Sequence, residues 1–136
     1  SCYVDINGLT AFNERAGYEN GERLLWQLAR ILQAQIKKEE GRGGFVGYYG
    51  QDDFMILTTP DRAETMARAI IRAFDALVSD WNAGPVSTVA APSIAIGVIL
   101  AENPKGAHPA QVSSLGRHLL RQAKAAAGSA YRVGRL

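Results

Sequence analysis

The sequence predicts an α+β fold, in which helices pack around a mixed sheet of about five strands. Three observations support this prediction. Short stretches of β-forming apolar residues alternate with longer stretches whose apolar residues recur every three or four positions. Two of the short stretches are joined by a tight polar turn, which is typical of a β-hairpin. A length of 136 residues suits one domain with one hydrophobic core.

The first part of the chain predicts one strand and two helices. Residues 3–6 are apolar and end at Asn7-Gly8, which indicates a buried strand followed by a turn. Residues 10–16 form a short helix that Gly17 closes, and a longer helix follows Gly21. The apolar residues of the longer helix have regular helical spacing and are Leu24, Leu25, Leu28, Ile31, Leu32 and Ile36.

The middle part of the chain predicts the hairpin and a third helix. Residues 45–49 and 54–58 are the two strands, and the turn between them carries Asp52 and Asp53 at its tip. The third helix begins at Thr59-Pro60, because proline is well tolerated in the first turn of a helix. Its buried stripe consists of Met66, Ile70, Phe74, Leu77 and Trp81.

The last part of the chain predicts a central strand, a helix and an edge strand. Residues 93–100 are apolar on both faces, so we expect them in the centre of the sheet. A long loop, residues 82–92, precedes them. A fourth helix follows and is closed by Gly128, and residues 131–133 form the edge strand. The element order is β-α-α-β-β-α-β-α-β. Without the short first helix, this is the split β-α-β pattern of ferredoxin-like sheets.

Composition excludes several classes of protein. Hydrophobic residues make up 47% and charged residues 21%, and the net charge of +2 is too small to indicate a nucleic-acid partner. No apolar run approaches the roughly 20 residues of a membrane-spanning helix, and the first residues do not resemble a signal peptide. Cys2 is the single cysteine, which favours a reducing, cytoplasmic compartment.

The chain begins inside a predicted strand. We therefore expect residues 1–136 to be one domain of a longer protein, whose other domains are its partners. That longer protein could be attached to a membrane.

Three carboxylates, Asp5, Asp52 and Asp53, lie at positions where they could bind a metal ion. Asp5 lies near the end of the first strand, and a split β-α-β sheet makes this strand a neighbour of the hairpin. Asp5 and Asp52 are therefore expected to converge, as a hard-oxygen site that suits Mg²⁺ and a phosphate ligand. The turn at Asn7-Gly8 opens a helix, whose free amides can bind phosphate. A purely conformational role remains open, because Asp is common in turns.

Side chains on the predicted helices have simpler expectations. Trp26 and Trp81 fall in or beside helical stripes, and both are expected to pack in the core. Arg117, Arg121 and Lys124 lie along the fourth helix, where a solvated face is the ordinary role.

Motifs along nearly the whole chain resemble those of one family, the GGDEF domains. The matching segments, in order, are Asp5-Ile6-Asn7-Gly8-Leu9, then Asn13, Gly17 and Gly21, then Gly50-Gln51-Asp52-Asp53-Phe54 at the GGDEF signature, Ser93-Ile94-Ala95-Ile96-Gly97-Val98, and Ala123-Lys124 with Gly128. Each motif alone is weakly specific, whereas their order and spacing together are fairly specific.

The resemblance implies a palm-type nucleotidyl cyclase fold and a guanine nucleotide as ligand. Diguanylate cyclases of this family join two GTP molecules into cyclic di-GMP across a dimer of GGDEF domains. By this resemblance, the Mg²⁺ ligands are Asp5, the backbone carbonyl of Ile6, and Asp52. The catalytic residues of an active member are Asp52 and Asp53. The implied nucleotide-binding residues are Asn13, Glu22, Gly50, Gln51 and Lys124.

Several positions depart from the family pattern. Gln51 replaces the second signature glycine, and its side chain crowds a place where the backbone approaches the nucleotide. Glu22 replaces the guanine-reading aspartate, and Thr10 replaces a lysine. Arg42 lacks the aspartate that completes the inhibitory R-x-x-D motif, since Phe45 stands there. No second basic residue is evident just beyond Lys124.

These departures favour a degenerate GGDEF module that binds GTP, or serves regulation or dimerisation, without cyclase activity. One alternative is an active diguanylate cyclase with a relaxed signature, which uses Mg²⁺ and GTP as a homodimer. Another is a different palm domain, such as a CRISPR-associated palm subunit. The spacing of Asn13, Gly17 and Gly21 argues against that last alternative.

Overall fold

The computed structural model describes residues 1–39, 44–49, 53–82 and 91–136. Over these residues the elements are β1 (Cys2–Asn7), α1 (Leu9–Ala16), α2 (Tyr18–Lys37), β2 (Phe45–Tyr49), β3 (Asp53–Leu57), α3 (Pro60–Asn82), β4 (Ser93–Leu100), a 3-10 turn (Pro104–Gly106), α4 (Pro109–Lys124) and β5 (Ala130–Arg135). The predicted α+β fold and element order are confirmed. No helix within the described ranges is long and apolar enough to cross a membrane.

The five strands form one mixed sheet in the order β2-β3-β1-β4-β5. β1 pairs antiparallel with both β3 and β4, while β5 runs parallel to β4 along one edge. β4 lies between β1 and β5 and is buried over almost its whole length, which confirms its predicted central position. The first strand and the hairpin are neighbours, as the split β-α-β pattern predicts.

Helices cover the two faces of the sheet unequally. α2 and α3 bury the face to which Cys2, Val4 and Ile6 of β1 point, and this face carries the main core. The alternating residues Tyr3 and Asp5 point to the opposite face, because successive strand side chains alternate. That face is covered by α4, which contacts β4, β5 and β1. The largest fully buried side chains of the core are Phe74, Leu24, Leu28, Leu32, Ile56, Ile70, Ile94 and Ile96.

Glycines let α4 lie directly on the sheet. A Cβ atom at Gly116 would lie 2.8 Å from the Tyr3 ring, and one at Gly97 would lie 3.0 Å from the Cβ of Leu119. The first distance is shorter than real Cβ contacts and the second is tighter than most of them, so larger residues would push the helix away from the sheet. The close seating brings the C-terminal half of α4 beside the end of β1, where Asp5 lies.

The start of α2 differs from the sequence prediction. The helix begins at Tyr18 rather than after Gly21, and Gly21 is buried within its first turns. A Cβ atom at Gly21 would lie 1.6 Å from Oδ1 of Asn13 on α1. The glycine is therefore a packing residue between two helices and does not mark a helix start. Gly17, with a φ of 92°, makes the break between α1 and α2.

Two other element ends also differ from the prediction. Asp53 was expected in the hairpin turn, but it is the first residue of β3 and pairs with both neighbouring strands. α4 ends at Lys124, and Gly128, with a φ of 86°, lies four residues beyond its end. Of the predicted long loop, residues 83–90 lie outside the described part of the chain, and so does Arg42.

A buried carboxylate joins the end of α2 to the start of α3. Glu39 is 8% exposed. Its Oε2 accepts a hydrogen bond of 2.9 Å from the Thr58 hydroxyl, and its Oε1 accepts one of 3.0 Å from Nε of Arg62. Both oxygens of this carboxylate are therefore used within the fold.

Candidate functional site

Two carboxylates face each other on neighbouring strands. Asp5 of β1 is in register with Asp53 of β3, so both side chains lie on the α4 face of the sheet. Asp5 is 9% exposed, and Asp53 is half-buried. Like charges placed directly opposite on paired strands repel each other. This arrangement therefore calls for a cation at the same place.

Lys124, the last residue of α4, supplies one cation. Its Nζ donates a hydrogen bond to Oδ2 of Asp5, although the two residues are 119 positions apart in sequence. The lysine side chain is 42% exposed and the aspartate side chain 12%. Oδ1 of Asp5 is buried and has no hydrogen-bond partner among the described residues. One oxygen of the Asp5 carboxylate is thus bound to Lys124, and the other accepts no hydrogen bond from a described residue.

A cavity of about 340 Å³ opens over this pair, between α4 and strands β1 and β3. It contains three cationic side chains and two carboxylates, and we call it the acid–base cavity. Its lining residues are Tyr3, Asp5, Asp53, Ser113, Arg117, Leu120, Arg121 and Lys124. Mixed charges of this kind suit a phosphate ligand together with a divalent cation.

The donor set fits Mg²⁺. A hard cation takes carboxylate and carbonyl oxygens, and the unpartnered Oδ1 of Asp5 is such a donor. Asp53 adds a second carboxylate on the same face. Ile6 follows Asp5 on β1 and is in register with Ile94 of β4. Asp52 lies outside the described residues. Among the residues that are described, no group of three His, Cys, Asp or Glu side chains could hold a metal ion.

The N-terminus of α1 lies three residues beyond Asp5. Gly8 turns the chain there with a φ of 74°, and no side chain caps the helix. Uncapped amides at a helix N-terminus carry partial positive charge and bind anions. Asn7 donates a 2.9 Å hydrogen bond to Ser93, while Oδ1 of Asn7 is buried and has no partner among the described residues.

A second cavity, of about 600 Å³, lies on the opposite face of the hairpin, against α2. It is mostly apolar, with Glu22 as its acidic residue, and we call it the aromatic groove. Its lining residues are Glu22, Leu25, Trp26, Ala29, Gln33, Val46, Tyr48 and Phe54. The rings of Tyr48 and Phe54 pack 5.1 Å apart. A flat aromatic ligand suits such a groove, because stacking on aromatic side chains stabilises it.

The structure brings some of the sequence-predicted site residues together and separates others. Asp5, Asp53 and Lys124 converge in the acid–base cavity, and Glu22 lines the aromatic groove. Asn13 lines neither cavity, since its Oδ1 is buried against Gly21. The remaining positions, Gly50, Gln51 and Asp52, lie outside the described residues.

Sequence reasoning missed three residues at these cavities. Trp26 was expected in the core, but it is 71% exposed and lines the aromatic groove. Arg117 and Arg121 were expected on a solvated face; they are exposed, and they also line the acid–base cavity. Their spacing from Lys124, seven and three positions, placed them on its helix face. The sequence pattern did not show that this face of α4 lies next to Asp5.

Comparison with known families gives one result. The family model described as "Diguanylate cyclase, GGDEF domain" matches residues 2–130. This match confirms the resemblance drawn from the motifs, and it favours that family over the other palm-type proteins. No curated protein matches the chain.

Solved structures show the same fold at low sequence identity. The GGDEF domain of YfiN from Pseudomonas aeruginosa has a TM-score of 0.65 and 20% identity, covering 99% of this chain and 81% of that chain. Diguanylate cyclase SiaD from the same organism, solved with its activator SiaC, has a TM-score of 0.70 and 16% identity, and the match covers 99% of this chain and 48% of SiaD. The GGDEF domain of DgcB from Caulobacter crescentus, solved with c-di-GMP, has a TM-score of 0.59 and 20% identity, covering 98% and 75%.

Proposed function

Because the chain belongs to the GGDEF family of diguanylate cyclase domains, we propose that it is a degenerate member that binds GTP with Mg²⁺ but does not make cyclic di-GMP. It serves as a nucleotide-binding, regulatory or dimerisation module in a larger, cytoplasmic cyclic di-GMP signalling protein. The other domains of that protein, and a second copy of this domain, are its partners.

One observation carries the binding half of the proposal. Asp5 is a buried carboxylate, opposite Asp53, with one oxygen held by Lys124 and the other without a partner among the described residues. An unpaired buried polar atom costs about 1–3 kcal/mol, so a cation bound to the second oxygen of Asp5 would stabilise this arrangement. Mg²⁺, when bound, would neutralise charge on a nucleotide phosphate there.

We assign the phosphates of the nucleotide to Lys124 and the uncapped amides of α1, next to Asp5. The aromatic groove, a separate cavity on the other face of the hairpin, offers the rings of Trp26 and Tyr48 to a flat aromatic group. The carboxylate of Glu22 accepts hydrogen bonds from the N–H groups of guanine, which adenine does not present in the same arrangement.

The signature departure supports the loss of catalysis. Joining two GTP molecules requires the attacking hydroxyl and the phosphorus atom in line, and an error of about 1 Å costs on the order of a hundredfold in rate. Gln51 adds a side chain where the family keeps a glycine beside the nucleotide. Binding tolerates such crowding better than catalysis, because it requires no alignment between two nucleotides.

Calorimetric titration with GTP, with and without Mg²⁺, together with an assay for cyclic di-GMP, tests both halves. We expect saturable binding that requires Mg²⁺ and no detectable product. Formation of cyclic di-GMP would refute the loss of catalysis, and absence of GTP binding would refute the nucleotide-binding role. Asp80→Asn, which removes an exposed carboxylate on α3, is the matched control for substitutions of Asp5.

The acidic pair Asp5 and Asp53 favours one second candidate, an active cyclase with a relaxed signature. This candidate predicts product from the unmutated protein and loss of product in Asp52→Ala. Under our proposal neither protein forms product. A Gln51→Gly variant distinguishes the cause, because recovery of activity in it would assign the defect to that one side chain.

A further inference from the structure

We propose that Arg117 and Arg121 of α4 bind the terminal phosphates of the nucleotide together with Lys124, as a cationic clamp built from the helix itself. This inference rests on the proposed function, since it assigns the phosphate end of the same ligand. The chain has no evident basic residue just beyond Lys124, and the two arginines precede that lysine by two turns and one turn of helix.

Helix geometry places the three cations in one row. Arg117 and Arg121 are four residues apart, and Lys124 follows three residues later, so their side chains are neighbours on one face of α4. All three line the acid–base cavity with Asp5 and Asp53, and Ser113, one turn before Arg117, adds a hydroxyl at the same wall. The row of cations therefore begins at Arg117 in the cavity wall and ends at Lys124, which is bound to Asp5.

The charges in the cavity are unbalanced. Three cations face two carboxylates, which leaves one net positive charge before any metal is bound. Like charges spaced four residues apart on a helix repel each other and destabilise it. The helix dipole offsets this for Arg121 and Lys124, which lie in the last turn, but not for Arg117. An anionic ligand would offset the repulsion along the whole row.

The guanidinium groups are available for such a ligand. Lys124 is held by Asp5. Across residues 1–39, 44–49, 53–82 and 91–136, by contrast, no hydrogen bond or ion pair engages the side chain of Arg117 or Arg121. Guanidinium donors form a planar fork that matches two phosphate oxygens at once. Two arginines one helix turn apart can therefore hold two neighbouring phosphates.

Cavity size limits the kind of ligand. At about 340 Å³ the acid–base cavity lies at the lower end of small-molecule sites, which span roughly 300–1,000 Å³. It suits a diphosphate or the terminal part of a triphosphate. The same chemistry would bind free pyrophosphate, so the clamp is tested with both ligands.

The test compares GTP, GMP and inorganic pyrophosphate, each titrated with Mg²⁺ by calorimetry. The proteins are the unmutated domain, the double variant Arg117→Ala/Arg121→Ala, and the control Arg72→Ala, an exposed arginine on α3 at the other face of the sheet. We expect the double variant to bind GTP and pyrophosphate about ten- to a hundredfold more weakly, as losing charge-assisted hydrogen bonds does. GMP binding and the control should not change.

Folding and chemistry need separate readouts. Circular dichroism melting shows whether the double variant is folded, and Arg117→Lys/Arg121→Lys keeps the charges without the planar forks. We expect this lysine variant to show intermediate affinity for pyrophosphate.

Failure of this inference is distinguishable from failure of the proposed function. If GTP binds but the folded double variant keeps full affinity for GTP and pyrophosphate, the clamp is wrong and the proposed function stands. If GTP does not bind the unmutated domain, the proposed function is wrong. Pyrophosphate then decides the clamp alone: weaker binding by the double variant supports it, and equal binding or none to any of the proteins overturns it.

Discussion

Two buried carboxylates, Glu39 and Asp5, are exposed to nearly the same extent, 8% and 9%, and each pairs with a cation. They differ in how completely the fold satisfies them. Both oxygens of Glu39 accept hydrogen bonds, from Thr58 and Arg62. Asp5 has one oxygen bound to Lys124, its other oxygen has no partner among the described residues, and Asp53 faces it.

The difference separates a structural ion pair from a binding site. Glu39 stabilises the junction of α2 and α3, and each of its oxygens already accepts a hydrogen bond from a described residue. Asp5 is buried at an energetic disadvantage that a bound cation would remove. In native proteins such groups are completed by water or a bound ion, or belong to a functional site. The substitutions that follow test this distinction, from the largest expected effect to the smallest.

Replacing Asp5 should have the largest effect, and the effect should be on binding. Asp5→Asn keeps the shape but removes the negative charge, so Mg²⁺-dependent GTP affinity should fall by about a hundredfold, as loss of a charged ligand contact does. Stability should change by less than about 1 kcal/mol, since the repulsion with Asp53 also disappears. Calorimetry measures the affinity and thermal melting the stability, with Asp80→Asn as the control. Unchanged GTP affinity would remove Asp5 from the site.

Replacing Glu39 should have the opposite profile. Glu39→Ala leaves the Thr58 hydroxyl and Arg62 without their shared acceptor, so we expect a loss of about 2 kcal/mol in unfolding free energy. Arg62 is 43% exposed and can be rehydrated, which keeps the loss below that of a fully buried pair. GTP affinity should be unchanged under conditions where the variant is folded. Urea titration measures the loss, and a change in GTP affinity would contradict the purely structural role.

Replacing Lys124 should destabilise the protein modestly and in a way that Mg²⁺ repairs. Lys124→Ala removes the cation that is bound to Asp5, and we expect a loss of about 1 kcal/mol. Mg²⁺ should raise the melting temperature of this variant more than that of the unmutated domain, because it then supplies the missing charge. Equal Mg²⁺ effects on both proteins would indicate that the ion binds elsewhere.

Cys2 should report the smallest change. It lies on β1 with Asp5 but on the core face, and burial raises its pKa from 9.0 to about 11. Because the thiol is held neutral in the fold, its contribution to stability is complete below pH 9 and is lost as the pH rises toward 11. A thiol reagent at pH 8 should therefore react with Cys2 only when β1 opens. Asp5→Asn should leave that reaction slow, whereas Glu39→Ala should accelerate it. Equal rates in the two variants would contradict the claim that only Glu39 is needed for stability.

The sequence predicts those parts of the molecule that depend on local pattern. Hydrophobic periodicity gave the order of strands and helices, and the hairpin made β1 and β3 neighbours, which brings Asp5 to the hairpin. The sequence also predicts that Gly17 ends α1, and its positive φ confirms this.

The remaining features depend on contacts between distant segments. Its sequence context predicts that Gly21 precedes a helix, but it lies inside α2. A glycine is needed there because a Cβ atom would collide with the Asn13 side chain. Trp26 lies beside the buried stripe of Leu24 and Leu28 rather than in it, so its ring stays exposed. Arg117 and Arg121 lie at the cavity with Asp5 because two glycines, Gly97 and Gly116, let α4 pack closely on the sheet.

The most direct test of the account is a calorimetric titration of the unmutated domain with GTP, carried out with Mg²⁺ and again with a chelator. If the acid–base cavity is completed by a metal and a nucleotide, binding is saturable with Mg²⁺ and at least about tenfold weaker without it. GTP binding that is identical in both conditions, or absent in both, would contradict the claim that Asp5 is kept for a ligand.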